Sequence, residues 1–143
     1  MSIEKILAGK GHDIVTIAPA RTMREAADVL HRHRIGAVIV TDTEGGLMGI
    51  LSERDIVTAL AREGGNALDN PVSRHMTSAV VTASERDTIE QVMERMTQGR
   101  FRHVPIVKNG SVVGIVSIGD VVKSRLEAME NESQALKQYI ASG

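Results

Sequence analysis

The chain carries one pattern twice, first as Gly49-Ile50-Leu51-Ser52-Glu53-Arg54-Asp55 and again as Gly114-Ile115-Val116-Ser117-Ile118-Gly119-Asp120. A glycine leads a short apolar run, a serine follows, an aspartate comes three residues later, and Ile56-Val57 or Val121-Val122 continues. That order describes a strand running into a helix. The serine stands where an N-cap belongs, and the aspartate falls in the first helical turn, where free N–H groups and the helix dipole favour an acceptor or an anion. Ser-x-x-Asp before an apolar helix also approximates a capping box, so either aspartate taken singly can be read as finishing its own helix. Recurrence of the corner shifts the reading toward a place that holds a polar ligand.

The residues around the two corners repeat as well. Val15 and Val81, Thr16 and Thr82, Thr22 and Thr88, and Arg34 and Arg100 are each 66 positions apart, whereas Gly49 and Gly114, Ser52 and Ser117, and Asp55 and Asp120 are 65 apart. One residue has been lost in the hairpin between them, where a deletion is best tolerated. In the first half the pattern predicts a strand over Ile14–Ile17. A helix follows from the capping box Thr22-Met23-Arg24-Glu25 to about His33, with Met23, Ala26, Ala27 and Leu30 on one face. Strands over 37–41 and 47–51 and a helix over 55–62 complete that half. The second half predicts a strand over Val80-Val81-Thr82 and a helix opened by Thr88 with Ile89, Val92, Met93 and Met96 on one face. Strands over 104–107 and 112–116 then flank an Asn109-Gly110 turn of the type I′ kind. A tandem duplication follows, in an α/β (α+β) fold of two βαββα repeats related by a pseudo-twofold axis and presenting equivalent clefts. The expected divisions are 1–13 for an N-terminal helix and turn acting as a lid or dimer contact, 14–65 and 80–126 for the repeats, 66–79 for a linker, and 127–143 for a helical extension.

Composition narrows the function classes. The 143 residues are 42% hydrophobic and 24% charged with a formal net charge of −1, which gives no bulk electrostatic reason for nucleic acid or an anionic membrane as partner. Cysteine is absent, so disulfides, thiolate metal sites and a thiol nucleophile are excluded. The N-terminus lacks a long apolar signal region and no run approaches membrane-spanning length, so the expected location is cytoplasmic. Phe101 and Tyr139 are the only aromatic residues, which leaves no stacking platform for single strands. An adenine ring can still lie between aliphatic walls. His31-Arg32-His33-Arg34 reads as cations suited to a helix C-terminus; histidines two apart point about 200° away from each other and do not share a metal.

From about Ile14 to Leu126 the chain resembles a tandem pair of cystathionine-β-synthase (CBS) domains, a Bateman module. The resemblance rests on the two corners, on Arg102-His103-Val104-Pro105-Ile106-Val107, and on Met76-Thr77 leading into Val80-Val81-Thr82. It implies a regulatory module without catalysis of its own, binding AMP, ADP or ATP, or else NAD(H) or S-adenosylmethionine. The resemblance places Ser52, Asp55 and Thr82 in one cleft and Ser117, Asp120 and Thr16 in its twin, with each aspartate on ribose hydroxyls. Arg102 and His103 would meet phosphate in the Asp55 cleft, Arg54 adding a third cation, and that cleft is expected to bind a phosphorylated ligand more tightly. Pro105 and Ala37 complete the implied binding positions, although Ala37-Val38-Ile39 in the first repeat lacks the family's proline. Homodimers in which two modules form a flat disc are implied as well, with an unidentified effector protein acting in trans.

The last helix outruns the repeat. Val122, Leu126, Met129, Leu136 and Ile140 keep a 3-4 alternation once Ser133 fills the missing position, the pattern of a coiled-coil arm or a helix lying across a second subunit. Three function classes remain: a sensor of adenosine compounds, a structural dimer whose corners are only caps, and an enzyme acting on a nucleotide. The enzyme is disfavoured because the sequence offers no nucleophile–base pair, metal-ligand cluster or Walker loop.

Overall fold

The computed structural model describes residues 2–142. Helix α1 (Ile3–Lys10) precedes a first unit of β1 (Thr16–Ile17), α2 (Met23–His33), β2 (Ala37–Thr41), β3 (Leu47–Ser52) and α3 (Glu53–Glu63). A 3₁₀ turn (Gly64–Asp69) and α4 (Val72–His75) lead to the second unit of α5 (Ile89–Gly99), β4 (His103–Lys108), β5 (Ser111–Ser117) and α6 (Ile118–Ser142). The local reasons repeat with the sequence. Thr22 accepts from the Glu25 amide and Thr88 from the Gln91 amide, so both second-position helices begin on a threonine cap. Both end on an arginine in the left-handed region, Arg34 at φ 54° and Arg100 at φ 57°. Between these ends, Met23, Ala26 and Leu30 or Ile89, Val92 and Met96 turn inward.

β1 pairs parallel with β2, and β2 antiparallel with β3; β4 pairs antiparallel with β5. Each hairpin carries a register shift at the matching place, Val40/Thr41 and Ile106/Val107. Asn109 and Gly110 both have positive φ, at 52° and 80°, as a type I′ turn requires.

Three expectations need correction. The strand foreseen at Ile14–Ile17 is only Thr16–Ile17, and the one foreseen over Val80–Thr82 does not form; a single parallel bridge between Ala83 and Ile106 replaces it. Val81 is 41% exposed, so the β-branched letters that suggest a strand serve as surface instead. The stretch read as a linker forms the 3₁₀ turn and α4, and its amides are tied back onto the first unit: Val72 donates to the Arg21 carbonyl at 2.7 Å and Ser73 to Pro19 at 3.0 Å. The N-terminal helix is a core element and not a lid, since Ile3 and Leu7 are completely buried.

These two leading segments cross over. Ile3 and Leu7 of α1 belong to the second unit's core with Val92, Val104, Ile106 and Val116, whereas Ala67 and Val72 belong to the first unit's core with Met23, Val38, Val40 and Leu51. Glycines mark the contact points. A Cβ on Gly114 would lie 2.8 Å from Leu7 Cδ2, and one on Gly49 would lie 2.7 Å from Met76 Sδ and 2.8 Å from the Thr77 carbonyl oxygen.

Candidate functional site

At the first corner the Ser52 amide donates to Asp55 Oδ2 at 2.9 Å, the Ser52 hydroxyl approaches the same oxygen at 3.1 Å, and the Asp55 amide donates to Ser52 Oγ at 3.2 Å. The second corner repeats this with Ser117 and Asp120 at 2.9, 3.0 and 3.2 Å. Capping is therefore real in both copies. It uses one carboxylate oxygen, Oδ2, and no hydrogen bond among the described residues reaches Oδ1 of either aspartate. An ionised carboxylate has acceptor capacity on both oxygens, so each corner retains one for a molecule from outside.

Beside Asp55 lies a cavity of about 320 Å³, at the small end of ligand pockets. Ser52 and Asp55 form one side, and Ile50, Val80, Val81 and Phe101 supply apolar wall. Arg54, Arg100, Arg102 and His103 line it too, with Glu53 and Asp55 as its two acids. Arg54 is steadied by donating Nη1 to the Arg100 carbonyl at 3.2 Å. Gly36 allows the His103 ring to lie close, for a Cβ there would stand 3.1 Å from Nε2. Burial first, and then the charge of Lys10, push the His103 imidazole below its ordinary value; Glu53 and Asp120 pull the other way and Arg102 adds to the depression.

The second corner differs in one respect. Lys10, at the end of α1, donates to Asp120 Oδ2 at 2.5 Å and to the Ile115 carbonyl at 2.9 Å. Burial works to raise the Asp120 carboxyl, but the Lys10 hydrogen bond, the Ser117 amide and the nearby ammonium charge outweigh it and hold the group below the usual carboxylate range.

Of the residues expected from sequence, Ser52, Arg54, Asp55, Arg102 and His103 come together on the one cavity. Thr82 and Pro105 are not on its wall: the Thr82 carbonyl accepts from Arg95, and buried Pro105 accepts from the Ala83 amide. Thr16 pairs with Ile39, and Ala37, 5% exposed, pairs with Ser52. The sequence reading missed Phe101, Val81 and Gly36 as cavity wall and Lys10 as a partner of Asp120. Val81 could have been found from the motif that precedes it; Lys10 lies 110 positions from its partner and carried no local signal. Among the described residues no group of three or more His, Cys, Asp or Glu is arranged to hold a metal, and no helix is long and apolar enough to cross a membrane.

The sequence profile of the family described as CBS domain matches this chain twice, at residues 11–62 and 72–127. The CBS domain-containing protein YhcV of Bacillus subtilis is 33% identical over 120 residues, spanning 84% of this chain and 82% of that protein. The crystal structure of the CBS-domain containing protein ATU1752 from Agrobacterium tumefaciens superposes with a TM-score of 0.85 at 50% identity, over 87% of this chain and 92% of the other. The CBS domain protein PAE2072 from Pyrobaculum aerophilum, solved in complex with AMP, superposes with a TM-score of 0.75 at 30% identity, over 84% and 89% of the two chains.

Proposed function

The chain belongs to the CBS domain family, and on that footing we propose that it is a non-catalytic regulatory module that binds a phosphorylated adenosine compound in the cleft beside Asp55 and signals to a partner protein. The observation that carries the reading is the pairing of a free carboxylate oxygen with a cluster of cations across one aliphatic cavity. In that cavity Asp55 Oδ1 accepts the ribose hydroxyls, and Ile50, Val80 and Val81 sandwich the base. Arg54, Arg102 and His103 then meet the phosphate with charge-assisted hydrogen bonds. The same cation set disfavours S-adenosylmethionine, whose sulfonium is itself positive. AMP, ADP, ATP and NAD(H) all present the required sugar and phosphate; the related PAE2072 was solved with AMP, which makes AMP the first probe.

Isothermal titration with AMP tests this directly. Asp55→Asn keeps a capping side chain but loses the charge, and is expected to weaken binding about tenfold or more while the far-ultraviolet dichroism stays the same. Binding to the native state must also raise stability, by about 2.7 kcal/mol at a hundredfold excess over the dissociation constant. An Asp55→Asn titration identical to that of the unaltered chain would sink the site assignment.

The uncovered stripe on α6 supports a homodimer as part of the same reading. Ile118, Val122 and Leu126 line an apolar groove with Lys123, Glu127 and Glu130 on its rim, and Leu126, Met129, Leu136 and Ile140 are each at least 55% exposed. A second copy of the helix offers both the apolar cover and the complementary charges. The effector acts in trans and the setting is the cytoplasm.

A further inference from the structure

We propose that Lys10 is a ligand-binding residue of the second cleft, brought to the Asp120 corner by the N-terminal helix from outside both repeats, and that it makes this corner select a phosphorylated nucleoside over the bare nucleoside. The inference rests on the nucleoside-binding reading above.

The position of the ammonium is built, not incidental. Helix α1 is fixed at its start by backbone bonds from the Ile3 amide to the Asp87 carbonyl and from the Glu4 amide to Glu85, both at 3.0 Å. In its middle, Leu7 is buried against Gly114. One turn further on, Lys10 reaches Asp120 and the Ile115 carbonyl. Those two contacts use two of its three ammonium protons. The third is left to donate, beside the Asp120 Oδ1 that is left to accept. An acceptor for a sugar hydroxyl and a cationic donor for an anion thus stand side by side, matching the hydroxyl and the phosphate of a nucleotide, of which a bare nucleoside offers only the hydroxyl.

Comparison of the two leading segments explains why only one cleft needs this device. Ser2 bridges to Thr88 as Pro71 bridges to Thr22, and Leu7 fills the space over Gly114 as Met76 does over Gly49. Both pairs give the same offset, 71 − 2 = 69 and 76 − 7 = 69. The helix ends at His75, Met76 is already extended and Thr77 pairs with Ile50, so no side chain from this described segment bonds Asp55, and the cations of that cleft come from Arg54, Arg100 and Arg102. After Leu7 the helix continues and delivers Lys10 instead. Without the ammonium, a phosphate drawn to the second cleft would approach an uncompensated carboxylate. With it, the corner is a neutral pair with one donor to spare.

The test reads the second cleft by two-site titration of AMP and adenosine into full-length Asp55→Asn, whose first cleft is weakened, alone and combined with Lys10→Met or Lys10→Arg. Lys10→Met keeps most of the aliphatic stem, and thermal melts establish that each variant is folded. Adding Lys10→Met should lower AMP affinity at least tenfold and change adenosine affinity less than twofold, and Lys10→Arg should retain AMP. Unchanged or tighter AMP binding in the methionine variant would overturn the inference, showing the ammonium to be a helix tether or a plug. Equal loss of AMP and adenosine would overturn it also, as a merely structural effect. An Asp55→Asn chain that binds neither compound overturns it while leaving the Asp55 cleft standing if the unaltered chain binds AMP. An unaltered chain that binds neither compound overturns both readings.

Discussion

At each corner Oδ2 of the aspartate closes the capping box, and no hydrogen bond among the described residues reaches Oδ1. Capping and ligand binding, which from sequence look like rival explanations, are therefore compatible at one residue. That is why Ser52 and Asp55 were legible: the N-cap pattern is local, and the chemistry it leaves over follows from having two oxygens. His103 was legible only as a basic neighbour; its half-buried setting between both corners came from the fold. Its charge state gives a pH test. Burial and Lys10 lower its value from the ordinary 6.5, with Glu53 and Asp120 opposing and Arg102 reinforcing. The unfolded chain consequently takes up this proton first, so the associated stability is present above about pH 6.5 and is lost as pH falls toward the folded value. A phosphate held beside the ring stabilises the imidazolium, so AMP binding takes up a proton. Affinity for AMP should rise as pH is lowered from about 7.5 to about 6, and titrations in buffers of different ionisation heat should register the uptake. His103→Asn is expected to flatten both effects; an unaltered pH profile in that variant would remove His103 from the phosphate site.

At the scale of elements, two glycines set how closely the leading segments dock. The Gly49 neighbours include a backbone oxygen, Thr77 O, at 2.8 Å from an added Cβ, whereas Gly114 meets only the flexible end of Leu7. Gly49→Ala is expected to destabilise by about 1–3 kcal/mol, as overpacking does where the backbone cannot retreat, and Gly114→Ala by less. Urea unfolding of the two variants checks the order, and equal losses would mean that the Thr77 segment yields as easily as a leucine tip. The helices α2, α3 and α5 were readable from caps and a 3.6-residue periodicity. The segment after α3 was not: Pro71 and the polar letters from Asn66 onward look like a linker. The hydrogen bonds that make it helical run to Arg21 and Pro19, far away in sequence. Val80 and Val81 misled in the opposite direction, since β-branched side chains suit a cavity wall as well as a strand.

For the molecule as a whole, the exposed face of α6 is the feature that the chain alone leaves unsatisfied. The helix has 25 residues, about 37 Å at 1.5 Å per residue, and its outer half touches nothing in the described fold that would bury Leu136, Tyr139 or Ile140, which are 60, 77 and 67% exposed. Removing residues 133–143 should shift sedimentation toward the monomer while leaving AMP binding in the Asp55 cleft within about twofold, because the cavity lies on the other elements. A truncated chain that sediments with the same mass would place the subunit contact elsewhere. The stripe was visible in sequence as a 3-4 alternation, but its exposure could be learned only from the fold.

The crossing of α1 and the 3₁₀–α4 segment also bears on whether either half can stand by itself. A lone strand-helix-strand-strand-helix unit lacks the buried leucine or valine that its twin's leader provides. Two separate copies could cover that surface only by exchanging leaders, an exchange that here is completed inside one chain, whose halves differ at their corners: arginines line one, and a lysine rests on the other.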